Sequence, residues 1–209
     1  LTCAEMVSQV LGVRPFCDGR EITHVVFMGT GEPLDNYDEV LKTVRILNAK
    51  EGLGIGARRI TVSTCGLIPG MKRLADEKMQ IELSISLHGY NDQIRNQLMP
   101  INRKYPLKDL MAACHDYVRR TGRQITFEYI LIQDVTCTSE AARALKSLLK
   151  GLLCKLNLIP YNVVPEYRFK SPSPVDIREF KKDLLRNGIR ATVRASRGED
   201  STAACGQLR

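Results

Sequence analysis

The chain has 209 residues, 44% of them hydrophobic and 26% charged, with a formal net charge of +8. That length suits one α/β domain with a sizeable core, and the composition excludes a disordered chain. No run of about 18 apolar residues occurs, so a membrane-spanning helix is excluded and no membrane partner is expected.

The chain opens at Leu1 with a helical pattern over residues 3–11, introduced by the capping box Thr2-x-x-Glu5. A helix starting so early is expected of a piece cut from a longer polypeptide. A β-branched run over residues 23–28 predicts the first strand, which leads into Met28-Gly29-Thr30-Gly31-Glu32-Pro33. A second capping pair, Asn36-x-x-Glu39, introduces a helix over 37–49. Strands follow at 59–63, ending in Ser63-Thr64-Cys65-Gly66, and at 81–87, ending in Ser86-Leu87-His88-Gly89. A helix over 107–121, a strand over 124–132 and a helix over 140–150 come next. The strand at 155–159 runs into Pro160-Tyr161-Asn162. Ser173-Pro174 starts a last helix over 174–187, Gly188 stops it, and a strand over 189–193 leaves a polar tail over about 195–209.

Strands that are apolar almost throughout, alternating with helices, predict an all-parallel sheet in one domain. Six strands fit an open doubly wound sheet or part of a (β/α) barrel. Both architectures gather ligands at the carboxyl ends of the strands. The polar residues after each strand therefore converge on one rim. There the glycines let a backbone approach a ligand, and Glu32 places a carboxylate that can accept hydrogen bonds from an ammonium group. The bland reading of that turn, a plain strand–helix connection, is equally open at this point. His88, one of three histidines, lies at a strand end, although a lone histidine is more often structural than catalytic.

The seven cysteines include no C-x-x-C pair, so they make neither a metal knuckle nor, in an odd number, a disulfide framework. Cys114 and Cys154 read as core filler. Cys205 instead sits in the polar tail, behind Ala203-Ala204 and ahead of Gly206, as a thiol placed to move and react. The basic tracts Arg58-Arg59, Arg119-Arg120, Arg123, Lys181-Lys182 and Arg194/Arg197 can touch a polyanion or simply solvate helix faces.

Six segments occur in a fixed order over essentially the whole chain: Val26 to Pro33, Ser63 to Gly66, Ser86-Leu87-His88, Met99-Pro100-Ile101-Asn102, Asn157 to Asn162 and Ala203 to Leu208. The series resembles the RlmN/Cfr family of radical S-adenosylmethionine RNA methyltransferases, the adenine-C2 members most of all. The resemblance implies a partial (β/α)6, TIM-like radical SAM barrel over 1–209 that lacks its first strand and its cluster loop. It implies S-adenosylmethionine as cofactor, with Gly31 and Glu32 at its methionine end and Ser63, Ser86, Leu87, His88 and Asn162 completing the pocket. A [4Fe-4S] cluster is implied for the full-length parent, its C-x-x-x-C-x-x-C ligands lying upstream of Leu1, so no metal ligand is expected here and the isolated segment is expected to be inactive.

Cys205 is implied as the methyl carrier. C2 of adenine is not nucleophilic, so a polar transfer to it fails. A thiolate can take the methyl group first, and a radical generated at the cluster can then activate it for addition to the ring. The implied partners are 23S rRNA, tRNA and an electron-donor protein, for a cytoplasmic monomer. C8 methylation within the same family and a non-catalytic RNA-binding remnant are the alternatives.

Overall fold

A computed structural model describes residues 1–164 and 167–194. Among these, six strands form one parallel sheet: β1 (Val25–Phe27), β2 (Ile60–Thr64), β3 (Glu82–Ser86), β4 (Ile125–Leu131), β5 (Cys154–Pro160) and β6 (Ala191–Val193). Their spatial order is β1-β2-β3-β4-β5-β6, the order of the chain. A doubly wound sheet reverses its winding at a switch point; this one never does, so it winds as part of a barrel. Curling brings the ends together: Arg194, just past β6, sets its Nη1 3.3 Å from Sδ of Met28, just past β1.

Among the described residues α1 (Cys3–Val13) precedes the sheet, and α2 (Tyr37–Asn48), α3 (Ile68–Asp76), α4 (Asp92–Leu98), α5 (Leu107–Thr121), α6 (Ser139–Leu148) and α7 (Pro174–Arg186) connect its strands. The core lies between them and the sheet, where Ile85, Phe127, Leu156 and Leu158 are fully buried. Tyr129 stacks on Phe180 of α7, which fixes the outward face of β4. Cys114 is buried as expected of core filler, and Cys154 is half-buried at the start of β5.

Two capping boxes form as expected or better, at Thr2/Glu5 and at Ser173/Asp176. The one expected at Asn36 does not. Asn36 Nδ2 donates to the Leu1 carbonyl, and the Glu39 carboxylate accepts the Cys3 amide, so tertiary partners take both groups from the helix end. That exchange docks α1 onto α2.

Alternation along the strands gives the sheet two chemistries. Opposite the apolar face, Ser86, Glu128, Asn157 and Thr192 are register neighbours across β3 to β6. Glu128 is buried and accepts from Ser84 Oγ at 3.0 Å and Asn157 Nδ2 at 2.8 Å, while Asn157 Oδ1 accepts from Thr192 Oγ1 at 3.2 Å. The concave face is thus polar and already hydrogen-bonded. The outer edge of β1 borders an apolar groove of about 490 Å³ lined by Met6, Val10, Val25 and Phe27.

Candidate cofactor site at the strand mouth

The carboxyl ends of β1, β2 and β3 enclose a cavity of about 200 Å³ lined by Met28, Gly29, Gly31, Glu32, Ser63, Cys65 and Ser86. Gly31 is exposed at its edge. Glu32 is fixed by two backbone donors: Leu34 N at 3.0 Å to Oε1 and Cys65 N at 2.7 Å to Oε2. It makes no ion pair among the described residues. A carboxylate held by neutral amides keeps its negative charge available for a cationic ligand group.

Cys65 is half-buried beside it. Burial, reinforced by the Glu32 carboxylate, pushes its thiol up to about 12. That thiol stays protonated at neutral pH and is a poor nucleophile.

The chain leaves β3 through a kink. His88 has φ 53°, a left-handed value uncommon outside glycine that histidine, like asparagine and aspartate, adopts more often than other residues. It is held because the amides of Leu87 and His88 both donate to the Glu128 carbonyl. Its Nδ1 accepts from Ile130 N at 3.2 Å, which puts the ring proton on Nε2. Burial, with the positive charge of Arg95 nearby, lowers its pKa to about 4. His88 is therefore neutral at pH 7 and offers an N–H.

The folded pKa lies below the unfolded one of about 6.5, so stability from this group is full above pH 6.5 and is lost as pH falls towards 4. Urea midpoints between pH 6.5 and 5 should fall more steeply in the native protein than in His88→Gln. Equal slopes would refute this.

Leu87 is fully buried, with its amide on the Glu128 carbonyl and its carbonyl accepting from Gly89 N and Arg95 Nε. Ser63 and Asn162 are buried, and Ser86 is half-buried. Gly31, Glu32, Ser63 and Ser86 therefore gather around one cavity, with His88 and Asn162 at neighbouring strand exits. Cys205 and the rest of the tail lie outside the described residues.

Sequence reasoning missed the group that ties this mouth together. Arg95 on α4 is fully buried. It donates to the carbonyls of Cys65 (2.7 Å), Ser86 (3.2 Å) and Leu87 (3.1 Å), and to Asn102 Oδ1 at 2.8 Å. Asn102 in turn donates to Asp92 Oδ1 and Asn96 Oδ1. The exits of β2 and β3 hang on one guanidinium. Gly89 lets it approach, since a Cβ there would sit 2.8 Å from the Arg95 backbone.

The basic tracts divide. Arg119 pairs with Asp116, Arg120 with Asp76 and Asp116, Arg123 with Glu82, and Lys182 with Glu179. Those side chains solvate and brace helices rather than wait for phosphate.

Residues 17–137 match the pattern of the radical SAM superfamily. The chain belongs to that superfamily. Its relatives narrow the likeness. It is 52% identical over 209 residues to the probable dual-specificity RNA methyltransferase RlmN of Thermoanaerobacter sp. (strain X514), covering all of this chain and 60% of the relative. It is 53% identical over 210 residues to the RlmN of Pelotomaculum thermopropionicum, covering 57% of it. The crystal structure of a radical SAM methyltransferase from Sphaerobacter thermophilus superposes with a TM-score of 0.95 at 51% identity, over all of this chain and 62% of that one. A domain of a pyruvate-formate lyase-activating enzyme from Bacteroides vulgatus matches at TM-score 0.60 and 19% identity, a likeness of fold alone. The chain spans about 60% of the length of the RlmN relatives it matches.

Radical SAM methyltransferases use S-adenosylmethionine and a [4Fe-4S] cluster. The mouth fits the former, with a fixed carboxylate for the ammonium group, hydroxyls at Ser63 and Ser86, and an open glycine edge. For the cluster the described residues do not fit: no group of three or more His, Cys, Asp or Glu could hold a metal ion. Among the described residues, no helix is long and apolar enough to cross a membrane.

Proposed function

We propose that this chain is the cofactor-binding and methyl-carrying part of an enzyme that methylates C2 of an adenine in 23S rRNA and tRNA, by way of S-methylcysteine at Cys205. Gly31 and Glu32 hold the methionine end of S-adenosylmethionine, and Ser63, Ser86, Leu87, His88 and Asn162 complete its pocket. The bound cofactor supplies the methyl group. In the full-length protein, a cytoplasmic monomer served by an electron-donor protein, the cluster ligands come from outside this chain, and the isolated segment is inactive.

The observation that carries this reading is the contact between Arg194 and Met28. Met28 lines the cavity, so the Arg194 side chain reaches the cavity's rim. Cys205 follows eleven residues later, and a chain of that length, at up to about 3.5 Å per residue, is long enough to reach the mouth. The cysteine already in the mouth is the wrong one, because the Cys65 thiol is held protonated. A carrier must therefore come from elsewhere.

The test is product analysis. Full-length protein, incubated anaerobically with a reductant, S-adenosylmethionine and either 23S rRNA or tRNA, should yield 2-methyladenosine by mass spectrometry of the digested RNA. The 8-methyl isomer would move the reading to the C8 alternative, and unmodified RNA would leave the remnant.

A further inference from the structure

Residues 167–170, past the exit of β5, take no part in lining the cofactor pocket. Their sequence interleaves aromatic and basic residues: Tyr167-Arg168-Phe169-Lys170. The rings form a ladder. Tyr161, buried at the exit of β5, meets Phe169 edge-on at 5.9 Å between centroids. Phe169 carries Tyr167 stacked on it at 6.2 Å, with planes 14° apart. Tyr167 is 62% exposed. The loop is pinned by the Gln133 amide, which donates to the Lys170 carbonyl at 2.9 Å.

Three features need an occupant. An exposed ring lies stacked on Phe169, which itself rests edge-on against the buried Tyr161. Arg168 and Lys170 are exposed and, unlike Arg119, Arg120 and Arg123, make no ion pair among the described residues. The Tyr161 hydroxyl is buried with no hydrogen-bond partner among the described residues, although a buried hydroxyl ordinarily has one.

We propose that Tyr167, Phe169 and Tyr161 form a stacking platform for an unpaired base of the RNA substrate, with Arg168 and Lys170 taking the adjoining phosphates. The inference rests on the reading of RNA as substrate. Every base has a π-face, so an aromatic ladder flanked by cations holds single-stranded RNA without reading its sequence. Its place on the rim beside Asn162 holds the strand next to the pocket where a target base is needed. A protein partner would favour a broader apolar patch than one ring between two cations.

The experiment uses full-length protein and a labelled hairpin RNA with an unpaired adenine in its loop, read by fluorescence anisotropy over a salt series. Tyr167→Ala should weaken binding about tenfold or more, and Tyr167→Phe should bind like the native protein. Arg168→Ala should lower the slope of log K against log salt by about one, and Tyr167→Ala should leave that slope unchanged. If Tyr167→Leu binds RNA as tightly as tyrosine, the ring is apolar cover and the platform is wrong. A Tyr167→Ala variant that loses thermal stability but keeps its RNA affinity overturns it too. Should the native protein bind no RNA, the substrate reading itself fails. Native binding that survives Tyr167→Ala sinks the platform alone.

Discussion

Replacing Cys205 by alanine should abolish methyl transfer to RNA in the full-length protein while leaving its affinity for S-adenosylmethionine unchanged. The two readouts separate because the residues differ in task. In the proposed reading affinity comes from the mouth, where Glu32 is fixed by the amides of Leu34 and Cys65. Transfer needs a nucleophile, and a thiolate is the side chain that can accept a methyl group and hold it covalently. Cys205→Ser should be as inactive as alanine, since an alcohol is scarcely ionised at neutral pH. Cys65 cannot substitute, with its thiol raised to about 12 by burial and by Glu32. Measurement of methyl incorporation beside equilibrium dialysis of the cofactor decides the matter. A Cys205→Ala protein that still turns over would remove the carrier role, and one that no longer binds cofactor would show a structural role instead.

The second large effect is expected at Arg95. Arg95→Leu removes the shared donor of three buried carbonyls, at Cys65, Ser86 and Leu87, and strands the Asn102 side chain that faced it. Each acceptor left buried without that donor costs roughly 1–3 kcal/mol, so their joint loss lies far above that of an exposed pair. Asn102→Ala should cost less, about 1–3 kcal/mol, because it leaves one guanidinium nitrogen unpaired. Urea unfolding of the two variants tests the ranking. An Arg95→Leu midpoint equal to that of the native protein would mean that the carbonyls are satisfied without it. Exposed pairs supply the control: Lys182→Ala, which breaks the contact with Glu179, should change stability by less than about 0.5 kcal/mol.

Much of the barrel was legible because parallel strands covered by helices must be apolar in runs, and the five long connections had to cross over. Two helices were not. In α3, proline and glycine at positions 69 and 70 are poor helix formers, yet proline is tolerated in a first turn and Gly70 is there for packing: a Cβ would sit 2.7 Å from the side chain of Leu34. In α4 the sequence Asp92-Gln93-Ile94-Arg95-Asn96-Gln97-Leu98 shows no apolar period, because what it buries is an arginine. The strand expected over 23–28 contracts to Val25–Phe27, the three residues that find partners in β2.

The site divides the same way. Glu32, Ser63 and Ser86 announced themselves by residue type beside glycines at strand ends. Arg95 did not, since its acceptors are backbone carbonyls, which carry no residue signature, and their approach to one another exists only in the folded chain.

The polar belt across β3 to β6 has a consequence for how such a barrel changes over time. Ser86, Glu128, Asn157 and Thr192 occupy one set of alternate positions and the core occupies the other. Ser86 of the first set lines the cavity, so its substitution alters the polar face without opening the apolar core, whereas substitutions in the second set open the core and leave that face in place. Inheritance can explore new ligands along one track while the other keeps the scaffold standing.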